Sequence, residues 1–212
     1  MALSLRTNTM WLLLFGCWSA LPAIEALGAP SKDLVPAKVF GTLPAISDIA
    51  LSPDGKRAVA LKAIQDTYHV VLMDFQAQKT SLLMSAGDPD EFAFNWCRWA
   101  NNTRIVCSIR SYIVLRAGEM GDRYRWYSDG RTIMTRLLAV DADGSNVLQL
   151  VPRAISSVGR ALVWNSPDQG SVISWLRDDP DHILMQIARD DRILRSVYKL
   201  NINTNRLSRV RR

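Results

Sequence analysis

An all-β protein is predicted by two features of the 212-residue sequence: short apolar runs bounded by Pro, Asp, Asn and Gly turns, and a four-strand unit that recurs three times. Hydrophobic residues make up 48% of the chain, enough for a substantial core and for one or two domains.

The chain opens differently. Arg6 precedes "MWLLLFGCWSALPAI", an apolar run from Met10 to Ile24 broken by Gly16, Ser19 and Pro22, and then "EALGAPSKDLVP" turns small and polar. This is the order of a secretory signal peptide over residues 1–28, with Ala26-Leu27-Gly28 as the small-x-small cleavage site. A spanning helix needs about 20 apolar residues, which this stretch lacks. Two alternatives stay open: an uncleaved anchor, and acylation at Cys17, because "LFGC" has the outline of a lipoprotein box. Residues 29–40 read as a linker.

The first unit covers about residues 44–86. "ISDIALSPDGKRAVALKA" gives a strand, a Pro-Asp-Gly turn and a strand; "YHVVLMDFQAQKTSLLM" gives a strand, a polar turn and a strand. Pro presets φ and Gly permits the left-handed corner of that first turn. The second unit, about 92–151, pairs "NWCRWANNTRIVCSIRS" with "TRLLAVDADGSNVLQLV". The third, about 160–210, pairs "VISWLRDDPDHILMQIARD" with "SVYKLNINTNRLSRV".

The second hairpins align on Asp74, Asp141 and Asn201, which are 67 and 60 positions apart. In the first hairpins Trp99 and Trp175 stand just before the turn, where the first unit has Leu51. Repeated four-strand meanders that bury their faces only by stacking are β-propeller blades. The prediction is therefore a partial β-propeller of about three four-stranded antiparallel blades, spanning residues 41–212.

The spacing exceeds the usual blade period of about 40 to 50 residues because of two long connections. One, "SYIVLRAGEMGDRYRWYSDGRTI", carries Arg123, Tyr124, Arg125, Trp126 and Tyr127. It reads either as a contact loop for a ligand or partner, where aromatics and Arg are favoured, or as an irregular hairpin packed on its own rings. The other, "VPRAISSVGRALVWNSPDQGSV", is polar and turn-rich, with an extra strand around "ALVW" or a plain blade joint.

Cys97 and Cys107 remain once the signal is removed. They lie symmetrically about Asn102, so a regular hairpin sets them opposite each other; in an oxidising compartment they form a cross-strand disulfide, otherwise two buried thiols. Two cysteines with the distant His69 and His182 give no metal-ligand spacing.

The net charge of +6 matches the excess of eight basic residues over two acids between Arg189 and Arg212. Several of these alternate with apolar residues, the pattern of a strand's solvent face. No stacking array or groove-reading motif accompanies them, which argues against a nucleic-acid partner.

In this order, behind a signal peptide, "ISDIALSPDGKRAVAL", "CRWANNTRIVCSI", "RLLAVDADGSNVLQLV" and "SWLRDDPDHILMQI" resemble the N-terminal propeller of exported bacterial serine peptidases of the prolyl oligopeptidase family, in the dipeptidyl-aminopeptidase or acylaminoacyl-peptidase branch. The resemblance covers roughly residues 36–212. It implies a periplasmic propeller that restricts access to a C-terminal α/β-hydrolase domain.

That family's machinery is a Ser on a Gly-x-Ser-x-Gly elbow, then an Asp and a His. No such elbow occurs in the sequence; Ser145 and Ser171 follow a glycine but lack the second one. "DPDE" at 88–91 and "DDPD" at 178–181 cluster around Pro as turns do, and no Gly-rich phosphate loop is present. The expectation is a propeller section without catalytic residues, metal or cofactor, whose partner is the hydrolase domain or another protein or peptide; the alternative is a stand-alone periplasmic binding module. Membrane contact is expected only through the signal segment or a lipid on Cys17. A three-blade arc exposes strand edges, so the chain alone is expected to be weakly stable or oligomeric.

Overall fold

The computed structural model describes residues 35–88, 92–114, 131–151, 166–189 and 194–211. The chain divides into two units, Met1–Phe40 and Gly41–Arg212. The signal segment, with Cys17, lies outside the described residues, as do Arg123, Tyr124, Arg125, Trp126 and Tyr127 and the "ALVW" stretch. The expected linker ends in a one-turn helix, α1 (Ala37–Gly41). Pro36 starts it, its carbonyl accepting from Val39 N–H at 2.9 Å, because proline's fixed φ suits a helix start.

Three four-stranded antiparallel meanders follow, each paired in sequence order. The first holds β1 (Ile46–Leu51), β2 (Arg57–Ile64), β3 (Thr67–Asp74) and β4 (Lys79–Met84). The second holds β5 (Phe92–Trp99), β6 (Arg104–Val114), β7 (Arg131–Asp141) and β8 (Leu148–Leu150). The third holds β9 (Val172–Ser174), β10 (His182–Ile187), β11 (Ser196–Asn201) and β12 (Leu207–Arg211).

Local chemistry closes the hairpins. In the first, Gly55 sits at φ +70° and donates to Ser52 O at 2.9 Å. Ser52 Oγ donates to Asp54 Oδ1 at 2.6 Å, and the same carboxylate accepts from Lys56 N–H at 3.1 Å. In the second meander Asn101 Oδ1 accepts from the N–H groups of Thr103 and Arg104, each at 2.8 Å. The side chains aligned by the repeat cap the second hairpins: Asp74 accepts from Gln76 and Ala77 N–H, and Asn201 from Asn203 and Thr204 N–H. Asp141 departs from them, since its carboxylate takes Arg104 and Asn146 instead.

Strand alternation then sends opposite faces to opposite neighbours. One core joins the first two sheets: Val59, Leu61, Val70 and Leu72 pack on Phe94, Trp99, Ile105, Cys107, Ile109 and Val140. The other joins the second and third: Val106, Leu137, Ala139 and Leu150 pack on Ile183, Met185, Ile187, Tyr198 and Leu200. The middle sheet is thus buried on both faces, and every residue from Arg104 to Ile109 of β6 is buried rather than alternately exposed.

A polar strap reinforces the second junction. Thr135 N–H donates to Pro167 O at 2.8 Å, Thr135 Oγ donates to Asp168 at 2.9 Å, and Gln186 N–H donates to Ser171 O at 2.9 Å. The segment from Ser166 to Ser171 is thereby tied to β7 on one side and β10 on the other. Gly170 fits closely there, since a Cβ would lie 3.3 Å from Ser108 Oγ.

Candidate functional site

No three His, Cys, Asp or Glu side chains gather as metal ligands among the described residues. Ser145 is spent in its turn, its hydroxyl donating to Asp143 at 2.6 Å. Ser171 Oγ lies 3.4 Å from Asp168 in the strap. His69 pairs across the sheet with Lys62, and its Nδ1 is buried without a hydrogen-bond partner among the described residues.

His182 is more informative. Its Nδ1 lies 2.8 Å from Asp179 Oδ1 and its Nε2 lies 3.2 Å from Asn201 Nδ2. Asn201 Oδ1 accepts from Asn203 N–H and from Thr204 N–H and hydroxyl, so the amide orientation is fixed and Nδ2 must be the donor to Nε2. The ring is thus held between the Asp179 carboxylate at Nδ1 and the Asn201 amide at Nε2. Lys199 Nζ closes the cluster at 2.6 Å from Asp179 Oδ2. Hydrogen bonds from Lys199 and His182 hold the Asp179 carboxyl well below the usual carboxylate range, at about 2. With both ring nitrogens engaged, His182 is a turn brace for the third sheet.

Cys97 and Cys107 are cross-strand partners, in the register set by symmetry about Asn102. Their sulfurs are joined as a disulfide of 2.05 Å, with Cα atoms 4.0 Å apart. Both are buried in the first inter-sheet core, so the link has no access to substrate.

The blades are also locked by arginines at one repeat position, the first residue of the second strand. Arg57 stacks over the Trp99 ring at 5.2 Å and donates to the main-chain oxygen of Asn102. Arg104 occupies the same place one sheet on and is almost fully buried; it donates to Asp141 at 2.7 Å, Asn146 O at 2.8 Å and Ile202 O at 3.2 Å. His182 holds the equivalent place in the third sheet. The repeat alignment contained this signal, although no motif search for catalytic residues detects it.

The basic chain end falls on β12, an edge strand of the third sheet. Ser208, Arg209 and Val210 are exposed, and charge on an edge strand discourages edge-to-edge pairing. Arg195 and Lys199 are paired with Asp168 and Asp179.

Among the described residues a cleft of about 520 Å3 at the first-hairpin turns engages all three sheets. Its rim is a chain of turn-to-turn bonds: Asp54 N–H donates to Asn102 Oδ1 at 3.0 Å, and Asn101 Nδ2 donates to Pro180 O at 2.8 Å. Trp99 and Trp175, the tryptophans singled out by the repeat, line it with Arg98 and Arg177. Trp99 Nε1 donates to Ala50 O at 3.1 Å, and Trp175 packs edge-on against Trp96 with centroids 6.2 Å apart. Arg98 is tied to Asp48 at 2.6 Å.

Three stacked four-stranded meanders, whose first-hairpin turns are bonded to one another, define a partial β-propeller of three blades. No protein-family model and no curated protein matches the chain. Solved structures do. An acylaminoacyl peptidase in complex with Z-Gly-Gly-Phe-chloromethyl ketone is 16% identical, with a TM-score of 0.49 over 80% of this chain and 25% of its own. Dipeptidyl peptidase 4 of Porphyromonas gingivalis is 8% identical, with a TM-score of 0.49 over 79% of this chain and 26% of its own. A putative TolB from Agrobacterium tumefaciens is 15% identical, with a TM-score of 0.39 over 79% of this chain and 49% of its own. The chain spans between a quarter and a half of the length of these proteins.

Proposed function

We propose that this chain is a non-catalytic propeller section of an exported serine exopeptidase, which in the complete enzyme restricts substrate access to an α/β-hydrolase domain. The observation that carries this reading is the placement of the family-like hairpins. "ISDIALSPDGKRAVAL", "CRWANNTRIVCSI" and "SWLRDDPDHILMQI" fall at the same place in three successive blades, and their turns are bonded to one another. A wall built this way is stiff, because its turns, buried arginine and two cores each bridge neighbouring blades. A stiff wall selects by size, admitting short or unfolded peptides and excluding folded ones. Export through residues 1–28, with membrane contact only through that segment or a lipid on Cys17, belongs to the same proposal, as does the absence of a nucleic-acid partner.

The test is labelling by a fluorophosphonate probe. The full chain is expected to take no label, whereas labelling of this chain would overturn the claim that it is catalytically empty. The codons downstream of Arg212 give a second arm. Further blades and a Gly-x-Ser-x-Gly elbow support the peptidase reading; an unrelated gene contradicts it and favours a stand-alone periplasmic binding module. The cleft shared by all three blades is what recommends that second reading.

A further inference from the structure

We propose that the first-hairpin cleft binds the C-terminal carboxylate of a peptide whose last residue is apolar or aromatic. Its lining holds two guanidinium groups, Arg98 and Arg177, and no carboxylate, together with the indoles of Trp99 and Trp175. Arg98 is engaged with Asp48 and with Cys97 O. Arg177 is exposed and makes no hydrogen bond or ion pair among the described residues, so its planar fork is available for two parallel bonds to a carboxylate.

The form of the anion follows from the donors that are absent. A phosphate cradle needs several converging main-chain N–H groups. Here those of Asp54, Gly55, Lys56 and Arg57 are spent on Asn102 Oδ1, Ser52 O, Asp54 Oδ1 and Ser52 Oγ. Those of Asn101, Thr103 and Arg104 are spent on Arg104 O and Asn101 Oδ1. With these turn N–H groups spent, the unengaged guanidinium of Arg177 beside the aromatic walls offers a planar fork, which fits a planar monoanion on an apolar body.

The walls are fixed in advance. Trp99 is held by Ala50 O and by Arg57, and Trp175 by Trp96. Preorganised aromatic surface costs little ordering on binding. The volume, about 520 Å3, lies in the usual range for ligand sites and admits one or two terminal residues rather than a folded chain. The same chemistry would also suit a small aromatic acid, and the assay separates the two. The proposal is independent of whether the chain belongs to a peptidase, because binding is read on the chain itself.

The experiment is an NMR titration of the uniformly 15N-labelled full chain, following the tryptophan indole N–H signals, with the Trp175 signal assigned by Trp175→Phe. The probes are acetyl-Gly-Gly-Phe acid, the corresponding amide, and 3-phenylpropionate. The peptide acid is expected to shift the Trp175 signal and to bind at least about tenfold more tightly than the amide, the scale of a charge-assisted hydrogen bond. Arg177→Gln should abolish that preference while leaving the other indole signals in place, and Arg177→Lys should restore part of it. Equal binding of acid and amide, or an unchanged preference in Arg177→Gln, overturns the site. Binding of 3-phenylpropionate without the peptide acid overturns the assignment to a peptide end.

Discussion

Replacing Arg104 with Met tests the physical basis of blade stacking more sharply than any core truncation. Methionine keeps most of the side-chain length and apolar contact, so the change isolates the charge and its hydrogen bonds. The side chain of Arg104 is 5% exposed and that of its partner Asp141 is 28% exposed. The guanidinium also serves the carbonyls of Asn146, in its own blade, and Ile202, in the next. Breaking a buried pair by removing one member costs about 3–5 kcal/mol, and the partial exposure of Asp141, with its remaining bond from Asn146, argues for the lower end, about 3 kcal/mol. At a urea m-value of about 2 kcal/mol/M this lowers the unfolding midpoint by roughly 1.5 M. The control is Arg195→Met, whose pair with Asp168 is exposed at 44% and 42% and should contribute under about 1 kcal/mol. Equal midpoints for Arg104→Met and the parent chain would refute the reasoning.

Three further outcomes follow from the same structure. Thiol alkylation without reductant should leave Cys97 and Cys107 unmodified in the mass spectrum, and Cys97→Ala with Cys107→Ala should cost about 2–3 kcal/mol by freeing a short loop in the unfolded chain; alkylation of both without reductant contradicts this. Gly55→Ala should cost about 1 kcal/mol, the left-handed strain of roughly 1–2 kcal/mol less the entropy Ala removes from the unfolded chain, because φ is +70° and nothing lies within 4 Å of the new Cβ; a stabilised variant would show that the turn is misread. Asp179 has a carboxyl pKa lowered from 3.8 to about 2 in the folded chain. Its contribution is therefore complete above the unfolded value and is lost as pH falls from about 4 to about 2. Asp179→Asn should flatten the acid limb of the stability profile in that window, and an unaltered limb would contradict the Lys199–Asp179–His182 geometry.

The blades were legible because their turns are written in local chemistry. Ser52-Pro53-Asp54-Gly55, Asn101-Asn102 and the aligned Asp74 and Asn201 fix hairpins within a few residues, and spacing about Asn102 gives the register of β5 and β6 from Trp96 to Trp99. What joins blades was less legible. The oxygens that receive Arg57 and Arg104 belong to main chain 45 and 98 positions away, and a carbonyl acceptor leaves no residue-type signature. The bulge between Phe94 and Trp96 is similarly hidden, since it changes which face a residue takes without demanding a Gly. The candidate site was half visible: the repeat drew attention to Trp99 and Trp175, but Arg177, an exposed residue beside a turn, resembles any solvated charge until the three turns are seen together.

Amide hydrogen exchange read by mass spectrometry tests the stacked-blade account most directly, because it reports how each sheet is covered. The middle blade is buried on both faces, so peptides covering Ile105–Ile109 and Leu137–Val140 should exchange most slowly, while β1 and β12, at sheet edges with exposed side chains, should exchange first. Exchange from Ile105–Ile109 as fast as that from β12 would mean that the sheets do not stack in solution.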